Sequence, residues 1–322
     1  MTVDFVTLAD PYRPEILAHC YRMLGSIHDA EDLVQETYLR AWRGYDRFEG
    51  RSSVRQWLYK IATRACLTAI DTRQRRPLPS GLGAPAHDHR GATAAPEPTI
   101  AWIEPAPDSL FRDPASVVTG RSSVRLAFVA AMQELTARQR AVLILRDVLA
   151  WRAAEVADML DTTTTAVNST LRRARAQLQE RALTQDDVAE PRPEETRALL
   201  DRYVAAFERS DIDALTQLLR ADIELEMPPI PTWFSGRAAV AGFFAANVLG
   251  PPGTWRMVPT RANGQPAVAA YQRAEDGRYH GHVLQVLTVL GDHVSRIIAF
   301  MQPDLLPTFG LPAVLDSDEL VR

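Results

Sequence analysis

"DTTTTAVNSTLRRARAQLQE", residues 161–180, decides how the middle of this chain is read. Val167, Leu171, Ala174 and Leu178 recur at intervals of four, three and four, the spacing of one buried helical stripe. The opposite face carries Thr165, Ser169, Arg172 and Arg173, with Asn168 and Arg175 on its flank. Upstream, "WRAAEVADML" (151–160) forms a shorter amphipathic helix, and "DTTT" joins the two. Helix, tight turn and helix with a basic outer face is the helix-turn-helix arrangement. The threonines fit this reading. Thr162 or Thr163 can cap the second helix, its hydroxyl oxygen accepting a free backbone N–H. Thr164 and Thr165 then lie in the first turn, the part that enters a major groove. There hydroxyls and methyls meet phosphates, base edges or thymine methyls, while arginines hold phosphate or read guanine. A helical hairpin with an arginine-rich face is the other reading of this stretch alone.

The whole chain has 322 residues, 46% apolar and 24% charged, enough for two or three domains with real cores. No stretch approaches eighteen apolar residues, which argues against a membrane span, and no basic-then-apolar leader opens the chain. A cytoplasmic protein is expected. Cys20 and Cys66 stand in apolar helical contexts, read as reduced buried thiols with a disulfide as the alternative. There is no Cys/His cluster with metal-ligand spacing, so neither metal nor cofactor is expected.

The net charge of −4 hides an asymmetry. Residues 1–39 sum to −5, 40–76 to +7, 121–183 to +4 and 184–322 to −7. Two basic blocks in an acidic chain point to two contacts with a polyanion, or to two solvated helix faces.

Residues 1–76 read as a helical domain. Residues 77–120 hold eight prolines and four glycines, a density that predicts an extended linker without helix or strand. Within it "IAWIEP" offers Trp102 as an anchor for a neighbouring surface. Residues 121–183 are helical again, and 184–194 form a short polar linker. From 195 to 322 the pattern becomes two helices followed by strand-like runs, "DIELEM", "RMVPTRA", "PAVAAYQRA", "YHGHVLQVLTVL" and "HVSRIIAF". Helices first and a sheet afterwards predict a separate α+β domain. The fold class is therefore multidomain: two all-α domains joined by a Pro-rich linker, then an α+β domain.

"HDAEDLVQETYLRAWRGYDRF" (28–48) places Ala30, Val34, Thr37, Tyr38 and Ala41 on one helix face. Asp32, Gln35, Glu36, Leu39 and Arg40 face away. An exposed leucine ringed by acid and amide groups suits a protein–protein contact, although an ordinary surface helix fits as well. The stretch that follows, to residue 76, combines Arg51, Arg55, Lys60, Arg64, Arg73, Arg75 and Arg76 with Trp57 and Tyr59. Single-stranded DNA needs that mixture, cations along the backbone and flat walls for unstacked bases. The loop "FEGRSS", with Ser52 and Ser53, is small and polar enough to cradle a flipped base. Trp57 reads equally well as a core residue.

"DAEDLVQETYLRAW" resembles the core-polymerase-binding helix of bacterial sigma factors of the extracytoplasmic-function (ECF) group. "RFEGRSSVRQWLYKIATRACLTAIDTRQRR" resembles that group's −10 reader. "LTARQRAVLILRDV", "AAEVADML" and "AVNSTLRRARAQL" together resemble its −35-reading domain. The resemblance covers residues 10–76 and 121–183. It implies polymerase binding by Asp32, Gln35, Glu36, Leu39 and Arg40. It implies −10 contacts by Arg51, Ser52, Ser53, Arg55, Trp57, Lys60, Arg64, Arg73, Arg75 and Arg76. It implies −35 contacts by Thr164, Thr165, Asn168, Ser169, Arg172, Arg173 and Arg175. Two departures stand out: Asp161 where the family usually has glycine, and Thr63 where many relatives have asparagine. Asp tolerates the left-handed backbone that such a turn needs.

Residues 195–305, carried by "LLDRYVAAFERSDIDALTQLLRADIELEMPPIPTWFSGRAAVAGFF" and the strands after it, resemble SnoaL-like domains of the nuclear transport factor 2-like fold. That resemblance implies helices against a curved sheet enclosing a pocket, and an extension that tunes sigma activity in cis. Trp233, Trp255, His280 and His282 are the possible pocket residues, with Asp222 and Glu224 as further acid/base candidates. His280 and His282 alternate on one strand and so are expected on one side. A small molecule is a possible ligand there. The expected partners are core RNA polymerase and promoter DNA, and the chain is read as a regulator without enzymatic activity. Two rivals stay open: a stand-alone helix-turn-helix regulator with a ligand-sensing domain, and an enzyme acting through the C-terminal pocket.

Overall fold

The computed structural model describes residues 5–48, 50, 52–72, 75–88, 90–91, 93–111, 125–180 and 192–316. The chain forms two compact units, 1–76 with 103–184 and 77–102 with 185–322. The proline-rich segment is thus divided between them.

The first unit is helical: α1 Phe5–Ala9, α2 Arg13–Leu24, α3 Ile27–Gly44, α4 Val54–Thr72, α5 Leu126–Gln133, α6 Ala137–Leu143, α7 Ala153–Met159 and α8 Thr164–Glu180. A short π-turn, Ile144–Val148, follows α6. Amphipathic spacing marks the long helices α3 and α8, while α5, LAFVAAMQ, is apolar nearly all round. Val34 of α3, Leu58 of α4, Met132 of α5, Val156 of α7 and Val167 of α8 are buried in one continuous core. Cys20 and Cys66 lie there as buried free thiols. Between α2 and α3 the chain turns at Gly25, φ 71°, a left-handed position that favours glycine. Ser26 then caps α3, its Oγ accepting the Asp29 N–H at 3.1 Å.

Glu104, from the proline-rich segment, completes that cap. Its carboxylate accepts the Ser26 hydroxyl at 2.8 Å and the Ile27 N–H at 3.0 Å, and its backbone N–H donates to the Gly25 carbonyl at 2.9 Å. The Tyr21 hydroxyl donates to the Glu104 carbonyl at 2.9 Å. A negative charge at a helix N-terminus is favoured by the helix dipole.

The second unit contains α9 Pro193–Glu208, α10 Ile212–Leu218 and α11 Arg237–Phe243. Its strands are β1 Leu219–Met227, β2 Ile230–Ser235, β3 Trp255–Ala262, β4 Gln265–Arg273, β5 Tyr279–Leu290, β6 His293–Phe300 and β7 Val314–Leu315. They form one sheet in the order β2-β1-β6-β5-β4-β3, with β7 paired to β5. Among the described strands only β1 and β6 run parallel; the other pairs are antiparallel. Leu199, Tyr203, Phe207, Leu215, Phe243 and Phe244 from the helices pack with Leu225, Val283 and Ile297 from the strands in the second core. The five strand-like runs of the sequence are all strands. β2, with Pro231 inside it, and the two-residue β7 are the strands the alternation did not show.

The reading of 77–120 as an extended linker is corrected where it is described. Short 3-10 turns form at Pro79–Gly81 and Asp108–Phe111. Gly83, Ala86 and Ala94 bond to β2, an edge strand, and Glu97 bonds just before it. The Ala86 N–H donates to the Trp233 carbonyl at 2.8 Å, and the Glu97 N–H to the Pro229 carbonyl at 3.0 Å. The Trp233 indole donates to the Gly83 carbonyl at 2.9 Å, and the Ala94 N–H to Thr232 Oγ1 at 3.0 Å. Ser80 donates its N–H to the buried carboxylate of Glu226 at 2.9 Å. Burial raises the Glu226 pKa above the usual carboxylate range, against the nearby Arg296. Trp102 is buried, its indole donating to the Glu97 carbonyl at 3.2 Å.

Candidate nucleic-acid interface

Helix α8 begins midway through the threonines, at Thr164. Thr163 is the cap: its Oγ1 accepts the Ala166 N–H at 3.1 Å. The turn before it passes through Asp161 at φ 48°, the left-handed region. Val167, Leu171 and Ala174 are buried, and Thr164, Thr165, Asn168, Arg172, Arg173 and Arg175 are exposed. Ser169 is half-buried and donates to the Ala166 carbonyl at 3.0 Å. Arg175 is held by both carboxylate oxygens of Asp147, at 2.7 and 2.8 Å, which raises its pKa further. Arg172 has no ion-pair partner among the described residues, and Arg173 reaches only Thr170, at 3.4 Å. The free positive face of α8 therefore lies at Arg172 and Arg173.

An open cleft of about 560 Å³ lies where α3 ends and α4 begins, lined by Arg40, Arg47, Phe48, Ser52, Trp57 and Arg64, among others. Phe48 and Trp57 stack within it, ring centroids 4.7 Å apart and planes 29° from parallel. Trp57 is half-buried, between the two roles the sequence left open. Arg40, grouped with the polymerase face, lies on this cleft and pairs with Glu36 at 2.7 Å. Arg47 and Phe48 are members that the sequence reading missed. An aromatic one residue before "EGRSS" was the available signal. Ser53 has a structural task instead, accepting the Gln56 N–H at 3.1 Å as the cap of α4.

The basic residues of this region are engaged by acids. Arg55 pairs with Glu15 at 2.7 Å and lies over the Trp151 ring at 4.8 Å. Lys60 pairs with Asp158 at 3.1 Å, Arg64 with Asp161, and Arg75 with Glu134. Arg76 pairs with Asp29 at 2.6 Å. Arg51 and Arg73 lie outside the described residues. Thr63 is fully buried and hydrogen-bonded to His19 at 3.0 Å, so it faces the core and not the cleft. Burial, and then Arg22, lowers the His19 pKa to about 3, which keeps its imidazole neutral.

On α3, Asp32 and Gln35 are exposed and Glu36 is half-buried. Leu39 is 49% exposed, and Trp42, one turn further on, is 63% exposed. Two large apolar side chains facing solvent on a charged helix form a patch that suits a protein partner. Trp42 extends the face that the sequence assigned to Leu39.

Residues 8–76 match the family described as sigma-70 region 2, 125–178 match sigma-70 region 4, and 200–297 match the SnoaL-like domain. Over 313 residues the chain is 51% identical to ECF RNA polymerase sigma factor SigG of Mycobacterium tuberculosis, covering 96% of this chain and 84% of that protein. This chain belongs to the ECF RNA polymerase sigma factors. It is a transcription-initiation factor with a SnoaL-like domain after its two sigma regions. A second relative, probable ECF sigma factor SigI of M. tuberculosis, is 24% identical over 307 residues, 92% of each chain. The crystal structure of M. tuberculosis ECF sigma factor SigJ shares the fold at a TM-score of 0.60 and 22% identity, covering 95% of this sigma factor and 100% of that chain.

In the SnoaL-like domain of this sigma factor the possible pocket residues are not gathered. Trp233 is on β2 and Trp255 on β3, opposite ends of the sheet order. Trp255 is buried, donates to the Val248 carbonyl at 3.0 Å and packs edge-on against His282 at 5.3 Å. His280 is bonded to Asp276 at 2.9 Å on the surface. The register of β4 and β5 shifts between Ala270 and Tyr271, whose partners are Val283 and Gly281, so His282 is the extra residue of a bulge. That breaks the alternation on which the two histidines were expected to share a side. Burial lowers the His282 pKa. Asp222 pairs with Arg220, and Glu224 with Arg296. Among the described residues no group of His, Cys, Asp or Glu is arranged to hold a metal ion, and no helix is long and apolar enough to cross a membrane.

Proposed function

We propose that this sigma factor docks core RNA polymerase through Asp32, Gln35, Leu39 and Trp42 of α3. It holds an unpaired base of the −10 strand in the cleft beside Phe48 and Trp57, and reads the −35 duplex through Thr164, Thr165, Asn168, Arg172 and Arg173. The cleft carries the −10 part of this reading. A stacked aromatic pair bordered by Arg40, Arg47 and Arg64 offers a flat wall for a base and cations for its phosphates. Each flipped base costs a few kcal/mol of unstacking, which stacking in the cleft offsets. Arg75 and Arg76 lie on helix-stabilising contacts rather than at the cleft, so their DNA role is secondary. The SnoaL-like domain tunes initiation in cis.

The test is transcription from a promoter library by core RNA polymerase carrying either the full chain or a chain ending near Glu190. Initiation at defined promoters by the full chain is expected. Its absence sinks the reading, and a stand-alone duplex-binding regulator takes its place. A different output from the shorter chain is the expected mark of tuning in cis; identical output removes that part alone.

A further inference from the structure

Three cations of the first basic block find their partners in the helix-turn-helix half of the same unit. Lys60 meets Asp158 of α7 at 3.1 Å, Arg64 meets Asp161 of the turn, and Arg75 meets Glu134 at the end of α5. Arg64 also lines the cleft beside Trp57. Next to these pairs Trp151 packs edge-on against Tyr59 at 5.4 Å and takes the Arg55 guanidinium on its face. The apolar packing holds the two halves together. The carboxylates stand where phosphate oxygens of a bound strand would compete for the same nitrogens.

Asp161 is the telling residue. A non-glycine side chain at φ 48° is disfavoured, and glycine would serve the turn better. Its carboxylate is what glycine lacks, and that carboxylate meets Arg64. Both Asp158 and Asp161 are otherwise exposed, at 60% and 69%, so neither is needed by the core.

We infer that Asp158 and Asp161 act as strand mimics, occupying Lys60 and Arg64 in the free chain so that it engages the −10 strand only after the helix-turn-helix half has moved off α4. The inference rests on the −10 assignment proposed above. Exposed ion pairs are individually weak and screened by salt, so the two pairs supply the electrostatic part of this lock, beside the apolar packing.

The test compares the full chain, D158N/D161N, and a control, D201N/E275Q, that removes the same charge from exposed sites in the other unit. Binding of a short random-sequence, fluorescein-labelled single-stranded DNA is followed by anisotropy without polymerase. The expected result is a roughly five- to tenfold gain for D158N/D161N, shrinking as salt is raised, with the control near wild type. Equal affinity of the double variant and its control overturns the inference. If no form binds the strand measurably, amide hydrogen exchange in α4 and α7 decides. Faster exchange in D158N/D161N than in the control supports the lock, and identical exchange overturns it. Initiation by the wild-type chain with core polymerase is measured alongside. Its absence sinks the sigma assignment of the cleft, whereas normal initiation with unchanged strand binding sinks the lock alone.

Discussion

Helices α4 and α8 make the same offer to DNA and stand in different states. Both are long, both bury one apolar face in a shared core, and both are capped by a hydroxyl side chain, Ser53 and Thr163. On α8 the cations at Arg172 and Arg173 reach no carboxylate among the described residues. On α4 the cations Arg55, Lys60 and Arg64 each touch one. A duplex-reading face needs no protection, because a major groove is present before polymerase arrives. A strand-reading face, the role proposed for α4, meets its ligand only in melted DNA, and the α4 cations are paired with acids of their own chain. On the assignments proposed above, the difference puts the point of control on α4.

The comparison can be broken at the core first. Leu171→Ala removes a buried side chain of α8, and Leu58→Ala one of α4. Each is expected to cost about 2–4 kcal/mol, read as a fall in the urea midpoint. Because both lie in one core, a single transition is expected for both variants; two separate transitions would mean that the helices unfold independently. Next, Arg172→Ala with Arg173→Ala should lower output from −35-dependent promoters by roughly ten- to a hundredfold while polymerase binding in a pull-down stays intact. Unchanged output on every promoter would remove these residues from the reading face.

Acid probes the α4 side through His19, which is bonded to Thr63 of α4. His19 is neutral in the folded protein because its pKa, about 3, lies below the ordinary 6.5. The unfolded chain therefore binds the extra proton, and the stability this gives is complete above pH 6.5 and lost as pH falls toward 3. The slope approaches about 1.4 kcal/mol per pH unit in that window. His19→Gln should flatten the dependence of the urea midpoint between pH 6.5 and 5; an unaltered slope would assign it to other groups. The smallest effect belongs to the caps. Thr163→Ala and Ser53→Ala should each cost about 1 kcal/mol in denaturant melts, and a cost near zero would mean that water replaces the hydroxyl.

What the sequence made legible follows from periodicity. The stripe Val167, Leu171, Ala174 announces α8, and the alternating runs from Asp222 to Phe300 announce five strands, because side-chain burial repeats at the period of the backbone. The fate of the proline-rich segment has no such period. It is held by backbone groups, Ala86 and Glu97 among them, and by one carboxylate, Glu104, that caps a helix some 77 residues earlier. Nothing local marks Glu104 as a cap. The cleft was half legible: Trp57 and Ser52 were found, while Phe48 and Arg47 sit in a short turn after α3 where no helical face singles them out. The pocket histidines failed for a geometric reason, since a single bulge residue defeats a count by twos.

The chain that runs beside β2 has a consequence for how these molecules keep apart. An open strand edge is a row of unpaired donors and acceptors, and other copies can add to it like tiles to a border. Here the Trp233 and Pro229 carbonyls are already taken by Ala86 and Glu97, and prolines beside an edge cannot donate to a further ladder. The segment that links two DNA-reading regions is thus also a selvedge, finishing the sheet on one side against fraying into its neighbours.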